Sequence, residues 1–246
     1  MSGLHGRVAL LTGASGGFGK ALAQRLAESG VDLFLAYGRH GHDAEDVADL
    51  ARRLGRRVAV VSADLGDSAT PARLVDQATH ELGGVDILVA NAGTATVAPW
   101  QDVDLELWNT TLAVNLTAPF LLAQRVMPQM IERRFGRVLF MSSVAALNGG
   151  VVGAHYAARK AGLHGLLHHL ASRVAADGVT VNALAPALIA DTRMLPADPN
   201  TGDAALPIPV GRLGHPSEVA DMAMAMLSNG YLTNKVVTLD GGWLPR

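Results

Sequence analysis

Short apolar runs alternate along this chain with longer stretches in which apolar residues recur every three or four positions. The runs at 7–12, 31–37, 57–62, 85–90, 137–142, 179–184 and 235–239 are near-continuous in Val, Leu, Ile and Ala. That pattern predicts parallel strands buried on both faces, because a strand with one wet face would alternate apolar with polar. Between them, Val47, Leu50, Ala51 and Leu54 follow the helical i, i+3, i+4, i+7 spacing, with Gly55 as terminator. Thr70-Pro71 reads as an N-cap followed by proline at the first helical position, ahead of Leu74, Val75, Ala78 and Leu82. Pro216 opens another helix, with Val219, Met222, Ala223, Met226 and Leu227 on one face and Gly230 after it. Two longer Ala- and Leu-rich helices are predicted over 104–134 and 154–177. Strand–helix alternation throughout predicts an α/β chain with one doubly wound, mostly parallel seven-stranded sheet, residues 1–246 forming a single domain. The segment Pro196–Pro209, with four prolines and little periodicity, is the one long irregular stretch. Long loops in compact domains often serve as lids, so a substrate loop is expected at about 193–214.

Composition narrows the function. The 246 residues are 49% hydrophobic and 17% charged, which excludes a disordered, solvating chain. A net charge of -2 and a pI near 6.5 leave no basic footprint for nucleic acid or an anionic membrane. There is no cysteine, hence no disulfide framework, thiolate metal site or thiol nucleophile. Mean hydropathy is +0.23, yet no apolar run approaches the ~18 residues of a membrane span, and residues 1–7 lack a signal-peptide core. A cytoplasmic location is expected. His164, His168 and His169 lie at helical spacing, but no carboxylate or cysteine completes a metal set, so no metal is expected. His155 is expected to point away from its neighbour Tyr156.

Two features carry chemistry. Thr12-Gly13-Ala14-Ser15-Gly16-Gly17-Phe18-Gly19 follows the first strand and opens a helix through Ala21, Leu22 and Leu26. Glycines there let the backbone turn tightly and approach a pyrophosphate, which rests on the helix N-terminus in a Rossmann-type fold. Tyr156 and Lys160, four residues apart on a predicted helix, share one face. An ammonium there favours the phenolate and lowers a tyrosine pKa that starts near ~10, making the hydroxyl a usable acid and base. Ser143 lies thirteen residues upstream of Tyr156, at the carboxyl end of the fifth predicted strand, where α/β ligands bind. Its neighbour Ser142 is expected to face the other way. Asn115 sits in the long apolar helix, a poor interior residue that predicts a kink or a held water.

Thr-Gly-x-x-x-Gly-x-Gly, Asp64-Leu65, Asn91-Ala92-Gly93, Asn115, Ser143, Tyr156-x-x-x-Lys160 and Pro186 occur in the order and spacing of the short-chain dehydrogenase/reductase family, which the whole chain resembles. The resemblance implies a catalytic set of Asn115, Ser143, Tyr156 and Lys160. In it Tyr156 is the acid/base, Ser143 donates to the carbonyl oxygen, and Asn115 holds a water in the relay to Lys160. It implies cofactor contacts from Gly13, Ser15, Gly17, Phe18 and Gly19. Asp64 and Leu65 would lie at adenine, Asn91, Ala92 and Gly93 at the adenosine ribose, and Tyr156 and Lys160 at the nicotinamide. Pro186, Ile189 and Thr192 would reach the carboxamide. Ala187 departs from the Pro-Gly usual in the family, and the threonine after it is displaced by about one position.

The activity so implied is NAD(P)(H)-dependent hydride transfer between a ketone and a secondary alcohol. Overall the sequence is most like the 3-oxoacyl-acyl-carrier-protein reductases. Arg133 and Arg134 match one basic docking point for an acidic carrier, whereas Asp177 stands where a second would be. A small-molecule or a carrier-bound carbonyl substrate therefore remains open, a sugar or polyol included. A catalytically silent dinucleotide sensor would typically lack the tyrosine or the lysine, and a methyltransferase would not need Ser143, Tyr156 and Lys160 together. About ~20 residues beyond the glycine turn a carboxylate selects NAD(H) and an arginine accepts the 2′-phosphate of NADP(H). That region reads Tyr37-Gly38-Arg39-His40, with Asp32 too early and Asp43 in the next helix, so NADP(H) is expected through Arg39. Relatives pair the two long helices across a twofold axis, which predicts a homodimer or homotetramer, with the tail 241–245 in a second interface.

Overall fold

The computed structural model describes residues 3–192 and 208–245. Seven strands, β1 (Val8–Thr12), β2 (Asp32–Tyr37), β3 (Val58–Ser62), β4 (Ile87–Ala90), β5 (Gly136–Met141), β6 (Val179–Pro186) and β7 (Val236–Leu239), form one sheet in the order β3-β2-β1-β4-β5-β6-β7. Every pairing is parallel. The expected strands are all present to within two residues at each end.

Alternation within the strands shows why they read as continuous apolar runs. Val8 and Leu10, Phe34, Leu88, Val138 and Phe140 point into one core; Ala9 and Leu11, Leu33 and Leu35, Ile87 and Val89, Leu139 and Met141 point into the other. Each core needs its own helical cover. Helices α3 (Thr70–Leu82), α5 (Ala118–Glu132) and α7 (Ala154–Val174) supply Leu74, Leu122, Val126, Leu163 and Leu167 to the first. Helices α1 (Gly17–Glu28), α2 (Gly41–Arg53) and α8 (Pro216–Ser228) supply Leu22, Leu26, Val47, Val219 and Met226 to the second. Fully burying one such Leu or Phe contributes about 1.5–3 kcal/mol.

Helix starts differ slightly from expectation. Thr70 is the first helical residue of α3 rather than its cap. No side chain caps α3; the Asp67 carboxylate fixes the turn before it, accepting from the Ala69 amide at 2.9 Å and the Thr70 hydroxyl at 3.3 Å. Leu54 falls beyond α2 and is exposed, while Gly55 has φ +76 as a terminator requires. At α8, Pro216 is the first residue, and the Glu218 carboxylate accepts from the His215 amide at 2.8 Å. Arg212 grips the same carboxylate at 2.7 and 2.9 Å and holds its pKa down to about 2.

The predicted helix over 104–134 is interrupted. Regular α-helix covers α4 (Leu105–Leu112) and α5, and between them Ala113–Thr117 widens to π geometry around Asn115. The substrate loop expected at 193–214 lies mostly outside the described residues. Its last part packs back on the sheet, where Gly214 bridges to Ile189. No helix among the described residues is long and apolar enough to cross a membrane.

Candidate active site

Strand order reverses between β1 and β4, and the chain leaves both strands at the same edge, opening a crevice beyond their carboxyl ends. A cleft of about 210 Å³ lies there, lined by Gly13, Gly17, Phe18, Asn91, Tyr156, Lys160 and Thr192 among others. Elements from five parts of the sequence thus meet at one place.

The glycine turn is built to admit a ligand backbone-close. Gly13 has φ +70, and a Cβ there would stand 2.8 Å from the Ala92 Cα. A Cβ on Gly19 would fall 2.1 Å from the Gly13 carbonyl, and one on Gly17 2.8 Å from the Asp191 carbonyl. The turn therefore tolerates only glycine at these points, and α1 follows its N-cap Gly16 without any side chain capping its first amides. Those amides face the cleft as a ready anion site. The residues fit a dinucleotide. Ser15 donates to the Arg39 carbonyl at 2.9 Å, which brings the exposed end of β2 alongside the turn.

Asn91, Ala92 and Gly93 hold the end of β4 in place. The Asn91 side-chain amide donates to the carbonyls of Thr12 (3.0 Å) and Gly13 (3.2 Å), while the Thr12 hydroxyl accepts from the amides of Asn91 and Ala92. This lacing ties the end of β4 to the glycine turn. Thr12, whose hydroxyl does half of it, was not anticipated beyond its place in the motif. A Cβ on Gly93 would stand 2.6 Å from Asn115 Oδ1, so Gly93 makes room for Asn115. Asn115 in turn accepts from the Thr94 amide at 3.1 Å and donates to the Thr111 carbonyl at 2.9 Å. The bond to Thr111 spans four residues and ties the π segment back to the last turn of α4.

Asp64 is exposed and accepts from the Gly66 amide at 2.8 Å, fixing a turn after β3, with Leu65 buried beside it. Pro186 closes β6, and its carbonyl accepts from the Val144 amide at 3.1 Å. The Ile189 side chain belongs to the core behind the cleft, against Gly214, so only its backbone can face a ligand. Thr192 lies at the rim, its hydroxyl donating to the Ile189 carbonyl.

Tyr156 and Lys160 stand one helical turn apart near the start of α7, both almost fully buried. Ser143 follows β5 by two residues, and its hydroxyl accepts from the Ala145 amide at 3.2 Å and lies near enough to the Tyr156 phenol to favour the phenolate. Ser142 instead turns into α7, hydrogen-bonding His164 Nε2 at 2.8 Å and donating to the Lys160 carbonyl at 3.3 Å. His155 points to the Thr96 carbonyl at 3.0 Å. His168 is taken by Asn234 at 2.6 Å, and no metal-binding group occurs among the described residues.

One electrostatic expectation is corrected. Lys160 is expected to lower the Tyr156 pKa, yet the Tyr156 pKa is raised, because burial of the phenol outweighs every favourable charge. Lys160 itself is fully enclosed, and desolvation lowers it to about 7. Its Nζ donates to the Met141 carbonyl and lies 5.9 Å from the centre of the Tyr156 ring. The charge that acts on the phenol is Arg159, which the sequence reading passed over.

The short chain dehydrogenase family profile matches residues 7–201. The chain is a short-chain dehydrogenase/reductase. Among curated relatives of this oxidoreductase, the 2-dehydro-3-deoxy-D-gluconate 5-dehydrogenase of Pseudoalteromonas atlantica is 33% identical over 99% of the chain and 98% of its own length. A 3-oxoacyl-acyl-carrier-protein reductase of Aquifex aeolicus is 34% identical over 97% and 98%. Among solved structures, a blue fluorescent protein from a metagenomic library in complex with NADPH superposes with a TM-score of 0.92 at 33% identity, covering 98% of this dehydrogenase/reductase and 99% of that chain.

Proposed function

We propose that the enzyme interconverts a ketone and a secondary alcohol by hydride transfer, with NADP(H) preferred and Tyr156 as the acid/base. The observation that carries this reading is the placement of Tyr156 and Lys160 on a cleft whose other wall is the glycine turn, with Ser143 close to the phenol and Asn115 packed against the cleft residue Gly93. The nicotinamide, when bound, supplies or accepts the hydride. Gly13, Ser15, Gly17, Phe18 and Gly19 would hold its pyrophosphate side, Asp64 and Leu65 the adenine, Asn91, Ala92 and Gly93 the ribose, and Pro186, Ile189 and Thr192 the carboxamide.

In reduction the Tyr156 hydroxyl gives its proton to the forming alkoxide; in oxidation the phenolate removes the hydroxyl proton. Ser143 donates to the same oxygen, an electrostatic contribution of about 2.7–4 kcal/mol for one donor. Lys160 would hold the nicotinamide ribose and would exchange protons with solvent through a water at Asn115. Burial suits the phenol to this task, because a desolvated site strengthens each of these contacts.

NADP(H) preference rests on Arg39. It is exposed at the end of β2, and Asp43, the nearest acid in α2, is paired with Lys20 at 2.9 Å, which offsets its repulsion of a phosphate. A charged hydrogen bond from Arg39 to the 2′-phosphate is worth about 1.5–3 kcal/mol, roughly 10- to 150-fold in affinity. Arg39→Ala is therefore expected to lose about that much in kcat/KM with NADPH and little with NADH. Equal use of the two cofactors by the native enzyme, or an unchanged NADPH efficiency in the variant, removes Arg39 from the site.

A free small-molecule carbonyl fits better than a carrier-bound one. Arg134, one of the two candidate docking cations, is engaged by Asp177 at 3.4 Å and the Ala176 carbonyl at 2.7 Å, and Arg133 by the Gly83 carbonyl at 2.7 Å. The known activity of the Aquifex relative supports a 3-oxo substrate, and that of the Pseudoalteromonas relative a sugar acid. We also expect a homodimer or homotetramer. Trp100, Leu105 and Phe120 around the start of the α4–α5 helix are exposed apolar residues that a twofold partner would cover. Light scattering at micromolar concentration should give a multiple of 25.6 kDa; a mass of 25.6 kDa would contradict the assembly.

A further inference from the structure

Arg159 is the largest fully buried side chain in the described structure, with no exposed surface. A charge in that position is normally matched by a carboxylate, because leaving water is costly. Among the described residues Arg159 has none. Its Nη2 donates to the Thr94 carbonyl, and its Nε and Nη1 have no hydrogen-bond partner among the described residues. It lies over Tyr156: the guanidinium carbon is 4.1 Å from the centre of the phenol ring, one turn away along α7.

We propose that Arg159 is a positioning residue for Tyr156, its unneutralised guanidinium lying on the ring face to favour the phenolate and to fix the ring's plane. This rests on the reading of Tyr156 as acid/base. Geometry makes Arg159 the closer of the two cations, since the Lys160 ammonium is 5.9 Å from the same ring centre and turned to the Met141 carbonyl. Charge state separates them further. Burial lowers Arg159 only to about 10, so it stays cationic at neutral pH, whereas Lys160 falls to about 7 and is there only partly charged. Ser143 acts on the phenol in the same direction, while the neighbouring His155 on α7 is turned to the Thr96 carbonyl. Arg159 and His155, four residues apart, thus hold the carbonyls of Thr94 and Thr96, and so fix the segment after β4 that runs beside the phenol. The spacing Tyr-x-x-Arg-Lys was visible in the sequence; what was not visible is that the arginine would be buried without an acid.

The free chain offers a direct test, because it has three tyrosines, Tyr37, Tyr156 and Tyr231. Tyrosinate absorbance titrations of native and Tyr156→Phe chains, subtracted, isolate the ionisation of Tyr156. That ionisation should move to higher pH in Arg159→Met and in Arg159→Gln, the second keeping a donor for the Thr94 carbonyl, and return most of the way in Arg159→Lys. In alcohol oxidation at neutral pH, kcat/KM of Arg159→Gln should fall at least about 10-fold, the lower end of what an opposite charge within ~4–6 Å does to an ionisation. The loss should shrink as pH rises. An unmoved titration in a folded Met or Gln variant, or a loss of equal size at every pH, would overturn the proposal. Should the Met variant fail to fold, the Gln titration decides alone. Full activity in Tyr156→Phe would sink the acid/base reading instead, and would leave the titration result standing.

Discussion

Tyr156→Phe should lose roughly 10²–10⁴ in kcat, the range for a positioned acid/base, while binding NADPH almost as well as the native enzyme. The substitution removes one oxygen from a side chain that is nearly fully buried, so the ring, its contact with Arg159 and the shape of the cleft remain. Only the proton donor and its interaction with the nearby Ser143 disappear. Cofactor affinity measured by fluorescence titration, beside kcat from nicotinamide absorbance, separates the two effects. A variant retaining more than about a tenth of kcat lies outside the acid/base range and would assign the proton to another group.

Lys160→Met should differ in kind, because affinity and turnover fall together. On the proposed reading the ammonium would contribute both a charged hydrogen bond to ribose, about 1.5–3 kcal/mol or roughly 10- to 150-fold in affinity, and the route by which Tyr156 exchanges its proton. The same variant makes an unusual stability prediction. Lys160 ionises near 7 in the folded chain and near ~10.4 when unfolded, because burial opposes the ammonium. Between those values the unfolded chain binds a proton that the folded chain does not, so this group makes the native protein more stable as pH rises from about 7 towards ~10.4. Below about 7 the native protein carries the full cost of a buried charge, which methionine removes. The Tm of the variant relative to native should therefore be highest below pH 7 and decline on going alkaline. Each kcal/mol is worth roughly 2–4 °C in a chain of this size. Losing the donor to the Met141 carbonyl lowers the variant's Tm at every pH, so the slope is the signature. A Tm difference flat with pH would mean that Lys160 keeps an ordinary pKa.

The strands, the sheet and the glycine turn were legible because each leaves a local mark: apolar runs, glycine spacing, proline at helix starts. Asn115 was legible as an anomaly, a polar residue inside an apolar helix, but not as the centre of a π turn, since the extra residue is set by its bonds to Thr94 and Thr111 rather than by its neighbours' propensities. The lacing of Asn91 to Thr12 joins residues 79 apart in sequence and leaves no local trace. The Tyr–Lys electrostatics misled for a physical reason. Helical spacing gives the face that two residues share, but not how deeply that face is buried, and burial reverses the sign of the Tyr156 shift. Arg159 escaped notice for the same cause, because an arginine in a helix is usually solvated and nothing in the sequence marks this one as enclosed.

The most direct measurement follows NADPH absorbance with a panel of ketones, and NADP+ reduction with the matching secondary alcohols, for native enzyme and Tyr156→Phe at equal cofactor saturation. The account predicts stoichiometric turnover by the native enzyme with at least one ketone–alcohol pair, in both directions, and almost none by the variant. Tight NADPH binding with no turnover in either chain, or turnover that survives in Tyr156→Phe, would contradict it.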